Sequence, residues 1–242
     1  MAKTFKALSA LLTYPTAELQ QAAADIRETI AAEGLIAGQW RRALDELLDE
    51  VAANDIYDLQ ERYVLLFDRT RSLSLHLFEH VHGESRDRGQ AMVDLQELYA
   101  KGGLANVTSE LPDFLPLFLE FLSTQPLAEA CETLGQTAHI LSAIAERLRK
   151  RKSSYEAVFR ALVTLAAEKP AGEAVEALLQ GPDPDANDLA ALDAAWEEEE
   201  VRFGPGAGSE CKDGIVARVR AARRPAPDMP QPAPQRPIIS HA

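Results

Sequence analysis

Apolar residues along this chain of 242 residues recur at steps of three and four, and no β-branched alternating run appears. That period predicts helix after helix. An amphipathic segment at the N-terminus, Ala7 to Leu12, reads as a first helix. Thr16 can cap a second that runs to Glu33, where Gly34 supplies a left-handed stop. Trp40, Leu44, Leu47, Leu48 and Val51 mark a third. Asp55 can cap a fourth, with Ile56, Leu59, Tyr63, Leu66 and Phe67 on one face. Met92, Leu95, Leu98 and Tyr99 form another stripe, ended by Gly102-Gly103. Pro112 and Pro116 sit where a first turn tolerates proline, ahead of Phe118, Phe121 and Leu122. That helix is apolar nearly all round and is expected at the centre of the core. Pro126 opens what reads as one long helix, with Leu127, Cys131, Leu134, Ala138, Leu141, Ala145 and Leu148 in register. Tyr155, Val158, Leu162 and Leu165 follow, then Val175 to Leu179, then Leu189, Leu192 and Trp196. The expected fold is all-α, a single-domain helical bundle over residues 1–203.

Composition changes the picture at the C-terminus. Residues 204–242 hold seven prolines and four glycines, so they read as a disordered Pro/Gly-rich tail with room for a short helix near Val216 to Ala222. The charge splits at the same place. The chain carries −13, of which residues 201–242 contribute +4 (seven basic, three acidic) and residues 1–200 therefore −17. An acidic body argues against nucleic-acid binding. The most apolar stretch, Phe114 to Leu122, is too short to span a membrane. Two cysteines 80 residues apart, Cys131 and Cys211, form no disulfide framework and no CxxC motif, which fits a reducing cytoplasm.

Candidate chemistry concentrates in residues 76–89, which hold three of the five histidines. His76-Leu-Phe-Glu79-His80 matches the HxxEH pattern of zinc peptidases. In a helix both histidines would share a face, and Glu79 could serve as base to a zinc-bound water. No third ligand follows at a suitable spacing, and the competing reading leaves His76 at the surface and His80 hydrogen-bonded in a packed segment. Ser85 and Asp87 look like the start of a helix. Arg86 and Arg88 are unfavourable cations there, so they call for acidic partners, either Glu79 and Glu84 within the chain or groups on a ligand. The run Arg147-Leu-Arg-Lys-Arg-Lys152 reads as a basic helix end complementing the dipole. Gly204-Pro-Gly-Ala-Gly lacks the context of a phosphate loop and reads as linker.

These residues carry a family likeness. The stretch Leu77-Phe-Glu-His-Val-His-Gly-Glu-Ser-Arg-Asp-Arg-Gly-Gln-Ala-Met-Val-Asp94 resembles the assembly chaperones of respiratory nitrate reductase, the delta subunit family. The likeness continues at Tyr63-Val-Leu-Leu-Phe67-Asp68-Arg69, Glu110-Leu-Pro-Asp113 and Ala195-Trp196-Glu-Glu-Glu, and covers about residues 5–203. The wider group, the redox-enzyme maturation proteins, shares an aromatic-x-x-Leu-Phe element, matched by Tyr63, Leu66 and Phe67. It also shares a Pro-x-Asp-His-like hinge, where this chain has Phe114 in place of histidine.

The resemblance implies a non-enzymatic, cytoplasmic chaperone without a cofactor of its own. Such a protein binds the N-terminal, leader-like segment of the apo catalytic (alpha) subunit. It holds that subunit competent for molybdenum cofactor and iron–sulfur insertion before membrane docking. Cofactor delivery proteins are further implied partners; nucleic acid and stable membrane insertion are not. The expected client-binding residues are Tyr63, Phe67, Glu79, His80, His82, Glu84, Arg86, Asp87, Arg88 and Asp113. Two other readings stand beside this one: a small zinc hydrolase using His76, Glu79 and His80, and a helical scaffold or regulator with no chaperone role.

Overall fold

Ten α-helices account for nearly all regular structure in the computed structural model, which describes residues 2–81, 86–104 and 110–185, with the backbone alone at Arg86 and Asp87. They are α1 Lys3–Leu11, α2 Ala17–Glu33, α3 Gly38–Ala53, α4 Ile56–Tyr63, α5 Arg86–Lys101, α6 Leu115–Thr124, α7 Leu127–Gly135, α8 Ala138–Lys150, α9 Glu156–Leu165 and α10 Gly172–Leu179. Among the described residues there is no strand, only one isolated antiparallel bridge between His76 and Phe114. The expected helix at Leu189 to Trp196, the domain boundary at 203 and the tail 204–242 lie outside the described residues.

Local signals set the helix ends where the sequence places them. The Thr16 hydroxyl accepts from Leu19 N–H at 3.2 Å, and the Asp55 carboxylate accepts from Tyr57 N–H at 2.8 Å. Each satisfies a donor that the first helical turn leaves without an internal partner. Gly34 sits at φ 62°, the left-handed region that ends α2 at little steric cost.

The core is built around α6. Leu115, Pro116, Leu117, Phe118, Leu119, Phe121 and Leu122 are all buried, as its all-round apolar sequence predicts. α1 packs along it, pinned where Ser9 Oγ donates to the Pro116 carbonyl at 2.7 Å. α2 folds back on α1 and α3 on α2; α3 then meets α9, α9 meets α8, and α8 carries α10. α5 reaches α6 through Tyr99, whose ring lies 4.9 Å from Phe121. A Cβ at Gly102 would fall 2.5 Å from that same phenylalanine ring, so the close approach at the end of α5 needs glycine.

Two elements depart from expectation. The single helix expected from Pro126 to Leu148 is two, broken at Gly135-Gln136-Thr137. Thr137 Oγ1 donates back to the Leu134 carbonyl at 2.8 Å, and Ala167 N–H takes the Cys131 carbonyl at 3.0 Å. The first, with Thr137 N–H at 2.9 Å, takes up the Leu134 carbonyl, and the second ties the end of α7 to the residues after α9. Leu127, at the head of the expected stripe, is an exposed residue. The helix expected through Phe67 ends at Tyr63 and continues as a π turn over Val64–Asp68, where Arg69 N–H reaches the Val64 carbonyl at 3.1 Å. The wider turn still keeps Leu66 and Phe67 buried.

Candidate functional site

From the π turn onward the chain leaves helical geometry and enters the core. Short 3-10 turns cover Arg71–Leu73 and Leu77–His80. Thr70, Ser72, Leu73, Ser74, Leu75, Leu77 and Phe78 are buried, so the polar backbone groups here need partners. The short turns themselves pair some of them, and the segment 110–115 pairs three more. Leu77 N–H donates to the Asp113 carbonyl at 3.0 Å, and Leu115 N–H donates to the Leu75 carbonyl at 2.8 Å. The Asp113 carboxylate, fully buried, accepts from Phe78 N–H at 3.0 Å and meets His76 Nδ1 at 3.2 Å. Tyr99 OH closes the cluster from α5 by donating to the Pro112 carbonyl at 2.7 Å.

The two histidines thus have separate surroundings. The hydrogen bond to Asp113 raises the His76 pKa above its ordinary value. His80 is pushed down by burial, and its Nε2 lies 2.8 Å from the Ser74 carbonyl, so that nitrogen carries the proton. His76 is therefore not the surface residue of the competing reading, whereas His80 is the hydrogen-bonded one it expects. Nor do the two rings share a helical face, as the zinc reading requires: His76 precedes a 3-10 turn that ends at His80. No cluster of three metal-ligating side chains occurs among the described residues.

The expected site residues fall into two groups. Glu79, His80, Arg88 and Asp113 gather on the 74–81 segment, with Arg88 Nη2 3.3 Å from Glu79 Oε1. The cation at the start of α5 has found an acidic partner within the chain. Tyr63 and Phe67 belong to a buried aromatic chain instead. Tyr63 OH donates to the Leu12 carbonyl at 2.9 Å, its ring lies 5.1 Å from Phe67, and Phe67 lies 5.2 Å from Tyr155. Tyr14, half exposed, stacks edge-on over Tyr63 at 5.7 Å. His82 and Glu84 lie outside the described residues, as does the cap position Ser85; Arg86 and Asp87 are placed by backbone alone, in the first turn of α5.

One anchor escaped the sequence. Arg147, in the run read as a basic helix end complementing the dipole, does lie in the last turn of α8 but is buried at 4% exposure. It donates to the Ser72 carbonyl at 2.8 Å and to the Leu178 carbonyl at 2.6 Å, tying the irregular segment to α10. Beside it Arg151 pairs with Asp183 at 2.6 Å, and Ser72 Oγ donates to the same carboxylate at 2.7 Å. The clue was its register: Arg147 completes the stripe Ile140, Ile144, an arginine where an apolar residue belongs.

Fold and site together define an all-helical bundle with a bridged, irregular segment threaded through its core and held by buried polar side chains. Within that class, the chain belongs to the nitrate reductase delta subunit family, whose model matches residues 15–161. It is 44% identical over 218 residues to the nitrate reductase molybdenum cofactor assembly chaperone NarJ of Escherichia coli K12, covering 86% of this chain and 87% of that one. It is 47% identical over 148 residues to E. coli K12 NarW (61% and 64% covered) and 30% identical over 177 residues to NarJ of Bacillus subtilis 168 (73% and 95% covered). The likeness carried by residues 77–94 is thereby correct.

Proposed function

We propose that this protein is a system-specific chaperone for assembly of a molybdenum-containing nitrate reductase. It acts in the cytoplasm by capturing the N-terminal, leader-like segment of the apo catalytic subunit. The observation that carries the reading is the identity to a named assembly chaperone across most of both chains. No helix among the described residues is long and apolar enough to cross a membrane, which suits a protein that releases its client to one.

In this reading the capture surface runs from Glu79 to Arg88, with Asp113 and His80 fixing the loop that presents it. Tyr63 and Phe67 are held in the buried aromatic chain and do not meet the peptide. Affinity comes from apolar leader side chains, because wet charge pairs contribute only about 0–1 kcal/mol each. Glu79, Glu84 and Asp87 set orientation and on-rate for a basic peptide. Capture keeps the subunit open for molybdenum cofactor and iron–sulfur insertion and delays docking at the membrane; cofactor delivery proteins meet the complex at that stage. The protein itself holds no cofactor and catalyses no reaction.

Calorimetric titration tests this, with a peptide of the catalytic subunit's N-terminal segment added to the full chain. Binding that weakens in Glu84→Lys, with reduced salt dependence and an unchanged helical circular dichroism spectrum, supports the reading. A parent chain that does not bind the peptide makes the protein a scaffold. Unchanged binding by Glu84→Lys at low salt moves the capture surface elsewhere.

A further inference from the structure

Away from the irregular segment, a groove of about 560 Å³ runs between α1 and α2. Ala7, Ala10, Ala22 and Ile26 line its floor, and the carboxylates of Glu18 and Asp25 stand on its α2 rim. With Glu28 beyond them, these acids form no ion pair among the described residues, whereas Asp45, Asp49, Glu50, Glu146 and Glu156 are all paired. No described segment covers the groove. An apolar floor with small residues and an unpaired acidic rim suits a short basic amphipathic helix.

The chain carries such a segment beyond Asp185. In helical register Ile215, Val219 and Ala222 share one face, flanked by Arg218 and Arg223, with Arg220 and Arg224 on the opposite side. Asp213 stands where it can cap. We propose that residues 215–224 dock in the α1–α2 groove of their own chain. Dimensions agree: α1 is nine residues long and Ile215–Arg224 is ten, about 14 and 15 Å at a 1.5 Å rise. The 29 residues from 186 to 214 give a coil reach of about 30 Å, enough to cross a domain of this size. Charge favours the chain's own segment, since a +4 tail follows a −17 body. The docked segment covers the apolar floor, so any other peptide entering the groove must displace it.

The test uses the full chain with Cys131→Ser, so that Cys211 carries a nitroxide beside the docked segment. Amide signals of the groove lining on α1 and α2, Lys3 to Ala10 and Glu18 to Thr29, are expected to broaden. The broadening should disappear in Val219→Asp/Arg220→Glu, in Ala22→Glu and at molar salt, where screening shortens to about 3 Å. Signals of α8 and α9 report that each variant remains folded. Absence of broadening in α1 and α2, broadening centred elsewhere, or survival of the effect in Val219→Asp/Arg220→Glu overturns the proposal. A mixture of isotope-labelled chain without nitroxide and nitroxide-bearing chain without isotope should show none. Broadening there makes the occupant a second copy and also overturns it.

Discussion

Asp113 joins segments that lie 37 and 35 residues away in sequence, through His76 and Phe78. A buried carboxylate is tolerated only when its acceptor capacity is filled. Asp113→Asn keeps the shape but turns one acceptor into a donor facing donors. It should lower stability by about 1–3 kcal/mol, read as a reduced urea midpoint at unchanged slope. The histidines predict opposing pH effects. His76 has a raised pKa, so its contribution is full below 6.5 and is lost as pH rises through the raised value. His80 is lowered by burial, so its contribution is present above 6.5 and is lost as pH falls toward the lowered value. The two therefore act in different windows: above pH 6.5 acidification builds the His76 contribution, and below it acidification removes that of His80. His76→Gln should lack the gain in stability that the parent makes as pH falls toward 6.5, and His80→Gln should lose less than the parent below 6.5. Melting midpoints on both sides of pH 6.5 check both signs; parallel curves for all three proteins would refute the assignment.

Among the elements, α10 has no fully buried residue, and its hold on the body passes through Arg147. Arg147→Met keeps the apolar stem but leaves the buried Ser72 carbonyl without its donor, while the Leu178 carbonyl keeps Gly181 N–H at 3.3 Å. The expected loss is about 1–3 kcal/mol, for one unsatisfied group. Hydrogen exchange should show residues 172–179 opening before α8 and α9. Elements of this kind mark the limit of what the sequence discloses. The caps at Thr16 and Asp55 and the stop at Gly34 were legible because each acts within four residues. The burial of α6 was legible because all its faces are apolar. The break after Gly135 was not, since Gln136 and Thr137 carry no stop signal of the kind Gly34 does, and the tie on the end of α7, Ala167 N–H to the Cys131 carbonyl, comes from beyond α9. The same holds for the site. Glu79 and Arg88 announced each other by charge, nine residues apart. His76 and Asp113 gave no sign of their pairing, because non-helical contacts across 37 residues leave no period in the sequence.

At the scale of the whole molecule, the body is a closed set of helices with an acidic exterior and a basic C-terminal segment. Long-range attraction should dominate the rate at which a basic peptide arrives, and short-range apolar contact the rate at which it leaves. Raising salt is then expected to slow association with the N-terminal peptide far more than it speeds dissociation, a split that stopped-flow kinetics can resolve. Equal effects on both rates would place the charges inside the contact.

The bridge at His76 and Phe114 has a topological consequence. The bonds from Leu77 N–H to Asp113 and from Leu115 N–H to Leu75 tie together the two ends of residues 77–113, so that α5 belongs to an excursion with a laced neck. A neck fixed by its own bonds makes the length beyond it cheap to change, since each doubling of a closed loop costs only about 0.6 kcal/mol. Splitting the peptide chain within that excursion should leave two fragments that elute as one particle and melt together. New termini placed there, with the old ones joined, should give a permuted protein with the same helical spectrum.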